Sequence, residues 1–296
     1  MAWASGLARR VERVTILVIG KTGQVARELD ALDGTECYGR DAVDLRNPEA
    51  CAALIRKKRP HAVINAAAYT AVDKAEEDEP LATTVNGAAP GAMARACADL
   101  SIPFVHISTD YVFEGGGAAP WQPNDPTMPL SAYGRSKLAG EQTVRDAGAA
   151  HAILRTSWVV SAHGSNFVKT MLRLGAERDA LSIVSDQIGG PTGAREIAAA
   201  CHAIARKLID DPAKSGTYHF SGAPDVSWAD FAREIFAQAE LACAVTDIPT
   251  SEYPTPVQRP LNSRMDCSAT QTVFGIIQPD WRETVAHILK DLGALS

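Results

Sequence analysis

Short apolar runs rich in β-branched residues alternate with longer segments of helical period through the first half of the chain. Val14–Ile19 predicts a strand and Val25–Leu32 a helix. Thr35–Tyr38 predicts a second strand, and Pro48–Lys58 a helix opened by proline at a first-turn position. Ala62–Ile64 reads as a third strand, Leu81–Asp99 as one long helix and Phe104–Ile107 as a fourth strand. Ser131–Arg145 is of helical period, and His151–Thr156 reads as a fifth strand. Strand and helix alternating over short connections predict an α/β fold, a doubly wound parallel sheet of Rossmann type. Ligands of such sheets lie beyond the carboxyl ends of the strands. Gly20, Asn65, Ser108 and Trp158 fall there.

The second half is less regular. Gly193–Leu208 predicts a helix returning to the sheet, Gly216–Phe220 a short strand, and Ser227–Gln238 an amphipathic helix with Ser227 as N-cap. Ile248–Pro260 holds four prolines and cannot be a regular helix. Trp281–Leu292 predicts a last helix. The expected division is a dinucleotide-binding domain over 14–158, with 186–214 returning to it. A smaller C-terminal substrate-binding lobe covers 159–185 and 215–296, and 1–13 forms an N-terminal extension.

The turn after the first strand, "G-K-T-G-Q-V-A", raises two readings. A phosphate loop of an NTPase requires a glycine five residues before Gly20. Thr15 stands there, inside the apolar run, so the loop has no room. Gly20, Gly23 and Ala26 instead suit a dinucleotide turn. Gly20 permits the bend, Gly23 a close backbone approach to a pyrophosphate, and Ala26 close helix–strand packing.

Composition narrows the partners. The 296 residues carry a net charge of −6, with 46% hydrophobic and 22% charged residues. There is no basic surplus for nucleic acid and no stretch long enough to span a membrane. The six cysteines form no C-x-x-C pair, which suits reduced thiols in the cytoplasm. The seven histidines lack metal-ligand spacing, so no metal is expected.

Tyr133 and Lys137, four apart in "S-A-Y-G-R-S-K-L-A-G-E", share a helix face. A neighbouring ammonium lowers a phenol's pKa and makes the tyrosine an acid–base group. "H-I-S-T-D-Y-V-F" places the Ser108 and Thr109 hydroxyls and Asp110 directly after the fourth strand, where a hydroxyl can meet the same substrate oxygen. The glycine turn, post-strand hydroxyls and Tyr/Lys helix occur in the order of a short-chain dehydrogenase/reductase.

On these segments the chain resembles the extended short-chain dehydrogenases/reductases, and among them the dTDP-4-dehydrorhamnose reductase family. The likeness runs from about Val14 to Leu292. It rests on "G-K-T-G-Q-V", "N-A-A-A-Y-T-A-V-D-K-A-E", "S-T-D-Y-V-F", "Y-G-R-S-K-L-A-G-E", "R-T-S-W-V", "N-F-V-K-T-M-L-R-L", "D-Q-I-G-G-P-T" and "R-P-L-N-S-R". Where the family carries histidine in the second of these, this chain has Tyr69. The resemblance implies NAD(P)H-dependent reduction of the C4 keto group of a sugar nucleotide, with Thr109, Tyr133 and Lys137 catalytic. It places Gly20, Gly23, Gln24 and Val25 on the cofactor pyrophosphate, Asp44 and Leu45 at the adenine, and Ala68, Tyr69 and Thr70 at the nicotinamide side. Lys137 would also bond the nicotinamide ribose. Val72, Thr109, Asp110 and Trp158 would meet the sugar, and Arg259 and Asn262 the nucleotide diphosphate. Arg40, near the end of the second strand where an acidic residue would favour NADH, points to NADPH, with NADH also accepted.

Some members of that family form dimers around Mg²⁺ held by glutamates of both chains. Glu28 matches one such position, but Arg195 stands where a second glutamate belongs. Adjacent Glu196 points about 100° away on a helix. The expectation is no Mg²⁺ and a monomer or weak homodimer. Two other readings stand beside this one. The chain could reduce a different 4-keto sugar nucleotide, or be a non-catalytic regulatory subunit resembling that of methionine adenosyltransferase.

Overall fold

The computed structural model describes residues 14–294, so the expected extension over 1–13 lies outside the described residues. In chain order the first half runs β1 (Ile16–Ile19), α1 (Gln24–Asp30), β2 (Thr35–Tyr38), α2 (Pro48–Lys58), β3 (Ala62–Asn65), α3 (Val72–Glu77) and α4 (Glu79–Thr83). It continues with α5 (Ala89–Leu100), β4 (Phe104–Thr109), α6 (Ala132–Asp146) and β5 (His151–Thr156). The second half holds β6 (Val159–Val160), α7 (Phe167–Glu177), β7 (Ala180–Val184), β8 (Ile188–Gly189), β9 (Thr192–Gly193), α8 (Ala194–Asp210) and β10 (Gly216–His219). The chain ends with β11 (Val226–Ser227), α9 (Trp228–Gln238), β12 (Ala244–Ile248), β13 (Asn262–Ser263), α10 (Ser268–Phe274) and α11 (Trp281–Asp291).

Six parallel strands form the central sheet in the order β10-β5-β4-β3-β1-β2. β1 is buried on both faces, which explains its unbroken apolar run. Ile16 and Val18 pack under α8, with Ile197, Cys201 and Ile204. Leu17 and Ile19 face the opposite layer, with Ile55 of α2 and Met93 of α5. The strand order reverses between β1 and β3, opening a crevice at their carboxyl ends.

β10 pairs with β5, so the chain stays with the sheet through His219, beyond the expected return at 214. A separate core joins α7, α9 and α11 through Val168, Met171, Phe231, Ile235, Trp281 and Val285. β7 and β12 pair in parallel at its edge, two strands that the sequence pattern does not predict.

The segment expected as one helix over Leu81–Asp99 is broken. Between α4 and α5 lies a π-helical turn, Thr84–Ala88. Pro90 has no N–H to give the Asn86 carbonyl four residues back, and the chain widens there. α6 presses against that carbonyl at Gly140, where a Cβ would come within 2.0 Å of the Asn86 oxygen.

Candidate active site

A cavity of about 990 Å³ lies along the carboxyl ends of the first five strands. At its floor the chain turns after β1 at Gly20, with φ of +128°, a conformation that side chains rarely adopt. A Cβ there would stand 3.2 Å from that of Ala26, which is fully buried. Gly23, the N-cap of α1, has no side chain to cap the helix and nothing within 4 Å of its would-be Cβ. The backbone at Gly23 is therefore open to the cavity, as a pyrophosphate-binding turn requires. Val25 lines the same wall. The Gln24 side chain is turned away, accepting from Ser161 Oγ at 2.8 Å and Asn166 Nδ2 at 2.9 Å, so only its backbone faces that turn.

Arg40, Asp44 and Leu45 line one end of the cavity. Arg40 is exposed. The Asp44 carboxylate takes two bonds from Arg46, at 2.8 and 2.6 Å, which hold its pKa below the usual range. Ala68, Tyr69 and Thr70 form the loop after β3, with Val72 behind them. Asn86, thrust inward by the π turn, pins that loop. Its Oδ1 accepts from Tyr69 N at 2.8 Å, and its Nδ2 donates to Tyr69 O and Ser136 Oγ, each at 2.9 Å.

Tyr133 and Lys137 enter the cavity from α6, whose N-cap Ser131 accepts from Gly134 N at 3.0 Å. Tyr133 meets the Tyr111 ring edge-on at 5.6 Å. Burial pushes its phenol up, with the Thr109 hydroxyl pulling the other way and Asp110 adding to the rise. This corrects the expectation that Lys137 lowers it. Lys137 is itself buried, donates to Ile107 O at 2.6 Å, and is depressed by burial to about 8. Thr109 Oγ1 donates to Asp110 Oδ1 at 3.0 Å and accepts from Tyr111 N. Burial raises Asp110 to about 6, against hydrogen bonds from Ser263 and Thr109.

Ser108 does not share Thr109's position. Its hydroxyl donates to Glu141 Oε1 at 2.7 Å. Glu141, fully buried, also receives Arg155 Nε at 2.8 Å and Nη2 at 2.7 Å, and Arg145 at 2.8 Å. Those three basic and hydroxyl donors hold its carboxylate low despite the burial. Ser108 thus belongs to a buried ion-pair network behind the site, and Thr109 is the hydroxyl at the cavity.

Trp158 lies across the cavity from α6 with φ of +48°, stacked on Trp228 at 3.5 Å between centroids. Gly189 makes room for it, since a Cβ would reach within 3.0 Å of the indole. Arg259 is not among the residues lining the cavity; its Nη2 is bound to both oxygens of Asp73 at 2.7 and 2.8 Å, and its guanidinium lies beside the hydroxyl of Tyr111, which does line it. Asn262 does not offer its amide to a ligand. It is buried, donating to Gly116 O and Ala119 O and accepting from Arg264 N. Its side chain secures the 115–119 loop, a role that spacing along the chain cannot show.

At the α8 N-terminus Arg195 spans Glu28, at 3.7 Å, and Asp291, at 2.8 Å, while His163 also meets Glu28 at 3.3 Å. A guanidinium therefore occupies the space between these carboxylates. Among the described residues no group of three or more His, Cys, Asp or Glu is placed to hold a metal ion. No helix there is long and apolar enough to cross a membrane. His106, Asn86 and Glu141 around the site escape the sequence reading, which places Asn65 at the carboxyl end of its strand and gives it no role. The one signal of His106 and Asn86 is a polar side chain interrupting an apolar run.

The family described as RmlD substrate binding domain matches residues 14–294. A dTDP-4-dehydrorhamnose reductase of Burkholderia thailandensis is 45% identical over 293 residues, covering 94% of this chain and 98% of its own. The crystal structure of a dTDP-4-dehydrorhamnose reductase from Clostridium acetobutylicum superposes with a TM-score of 0.88 at 35% identity, covering 95% of this chain and all of that one. The dTDP-4-dehydrorhamnose reductase of Bacillus anthracis, solved in complex with NADP, gives 0.86 at 33% identity over 94% of this chain and 99% of its own.

Proposed function

The chain belongs to the dTDP-4-dehydrorhamnose reductase family, and we propose that it reduces the C4 keto group of dTDP-4-dehydro-L-rhamnose to give dTDP-L-rhamnose, using NADPH. The observation that carries this is the convergence of Thr109, Tyr133 and Lys137 on one cavity whose far end opens at Gly23. The residues fit the cofactor. The open backbone at Gly23 suits a pyrophosphate, the Asn86-pinned loop over Ala68–Thr70 suits the nicotinamide end, and Arg40 suits a 2′-phosphate. When bound, that cofactor supplies the hydride for C4.

This chain's own residues manage the charge that then grows on O4. Tyr133 is the proton donor. Burial keeps its phenol protonated at neutral pH, so it reaches the reaction carrying the proton it must give. Thr109 donates a hydrogen bond to the same oxygen, exchanging Asp110 for it. Trp158 and Val72 bound the sugar, and Lys137 stands behind Tyr133 on the same helix face. Arg259 takes the diphosphate in place of the Asp73 carboxylate.

The proposed division is a dinucleotide-binding part built on the central sheet and a substrate lobe built on the α7, α9 and α11 core. We assign the protein to the cytoplasm on its six unpaired cysteines, as a monomer or weak homodimer that needs no Mg²⁺. Loss of NADPH absorbance on mixing with dTDP-4-dehydro-L-rhamnose, with dTDP-L-rhamnose as product, is the direct test. No turnover together with tight binding to a protein partner would favour a non-catalytic subunit. Turnover only of another 4-keto sugar nucleotide would reassign the substrate.

A further inference from the structure

Behind Lys137 runs a buried polar chain with an unusual donor problem. On β3, Asn65 Oδ1 accepts from Ala67 N at 3.2 Å. Only an oxygen can do so, which fixes the amide orientation and leaves Nδ2 facing His106 Nδ1 at 3.1 Å. Nδ2 is a donor, so His106 Nδ1 must accept. A neutral imidazole carries one N–H, which must then sit on Nε2. His106 is fully buried, and burial followed by the Lys137 charge drives its pKa well below the ordinary value, so the ring is neutral. Nε2 in turn faces Lys137 Nζ at 3.4 Å. An N–H aimed at an ammonium is two donors face to face. Aimed at a neutral amine, it is a hydrogen bond.

We infer that Asn65 and His106 are positioning residues that favour the neutral amine of Lys137 in its protonation equilibrium with solvent, by holding the His106 Nε2–H against the lysine nitrogen. The inference deepens the proposed reductase and rests on that reading of Lys137 as a member of the catalytic set. Lys137 has two supported states. As an ammonium it donates to the Ile107 carbonyl, and as an amine it accepts from His106. The second state leaves no buried group unpaired when the proton has gone.

The other charged and titratable groups around Lys137 do not supply this effect. Tyr133, one turn back on α6, is neutral. Glu141, one turn on, favours the ammonium, and Arg155, Arg145 and Ser108 already engage it. Glu76 and Glu79, from α3 and α4, meet α6 at the Ala132 amide and the Arg135 guanidinium. Arg135 lies about 200° around the helix from Lys137. On the loop after β4, Asp110 bonds Thr109 and Ser263.

The test uses the full chain, ¹⁵N-labelled at histidine and ¹³C-labelled at lysine, with neither substrate nor cofactor. Its failure is thus separate from failure of the reductase reading. His106→Phe and Lys137→Met identify the two resonances by their loss. The expected result is an Nε2–H tautomer for His106 in the wild type. In Asn65→Asp the new carboxylate accepts where the amide donated, so the proton should move to Nδ1. Nε2 then becomes an acceptor for the ammonium, and the Lys137 titration midpoint should rise by about one pH unit, a tenfold gain in proton affinity. An Nδ1–H tautomer in the wild type overturns the inference. So does a Lys137 midpoint that falls or stays fixed in Asn65→Asp. The wild-type tautomer needs no folded variant to decide it.

Discussion

At the scale of single residues, the site depends on a few atoms whose chemistry the surroundings set. Tyr133→Phe keeps the ring and its edge contact with Tyr111 and removes only the hydroxyl, the proposed proton donor. The expected outcome is loss of turnover by well over tenfold in single-turnover measurements, with NADPH affinity nearly unchanged in fluorescence titration. A variant retaining more than about a tenth of the rate, under about 1.4 kcal/mol on the barrier, would exclude Tyr133 as the main acid. Arg40 bears on the choice between the two nicotinamide cofactors. It is exposed at the end of the cavity that Asp44 and Leu45 also line, while Asp41 folds over Gly39, its Oδ1 2.7 Å from the glycine's would-be Cβ. Arg40→Ala is expected to lower kcat/KM for NADPH about tenfold or more and to leave that for NADH within about twofold, as suits loss of a phosphate contact. A wild-type preference for NADH that the substitution leaves intact would remove Arg40 from the account.

At the scale of elements, the π turn between α4 and α5 connects sequence to site. Pro90 breaks the helical ladder, the break turns Asn86 inward, and Asn86 ties the cavity loop to α6. Asn86→Ala would leave the Tyr69 amide, the Tyr69 carbonyl and the Ser136 hydroxyl short of a partner. The expected cost is about 1–3 kcal/mol of stability, read from urea denaturation. KM for NADPH should rise several-fold as the 66–70 loop loosens. An unchanged KM in a destabilised protein would show that the anchor is purely structural.

At the scale of the whole molecule, buried histidines set the acid limit of stability. His219 is held near 4 by burial and by the Arg155 charge. The unfolded chain takes up that proton below 6.5 and the folded chain does not, so stability present above 6.5 is lost as pH falls toward 4. The difference is on the order of 3 kcal/mol. His106 acts in the same direction. Asp110 opposes them, because its folded pKa is raised and it gains stability as pH falls from about 6. His219→Gln keeps an acceptor for Arg155 and a donor for the Trp121 carbonyl. It should flatten the fall in Tm between pH 6.5 and 4, and curves that stay parallel would contradict the assignment. Assembly is the second property at this scale. Arg195 lies between Glu28 and Asp291, where it offsets the repulsion that a cation would otherwise relieve. Light scattering in EDTA and in millimolar Mg²⁺ is expected to give the same mass, that of a monomer or a weakly associating dimer. A dimer that dissociates only on chelation would refute this.

The sequence by itself determined what is local. Unbroken apolar runs such as Ile16–Ile19 mark strands buried on both faces, and the expected bounds of β2, α2 and β5 coincide with those observed. Glycine at 20 permits the turn, because its φ of +128° is one that side chains rarely adopt, and glycine at 23 leaves the backbone there uncovered. The four-residue spacing of Tyr133 and Lys137 fixes their shared face. The tertiary structure decided everything that depends on which distant group fills a polar atom's valence. Asn262 and Ser108 are polar residues in promising segments, yet both are consumed by partners far along the chain. His106 and Asn86 look like interruptions of apolar stretches and Asn65 only like the end of a strand, and folding turns them toward the loop and the lysine. The direction of the Tyr133 shift was decided in the same way. Sequence places an ammonium one turn away, but burial, a property of the whole packed molecule, raises the phenol, and the hydroxyl of Thr109 is what works against it.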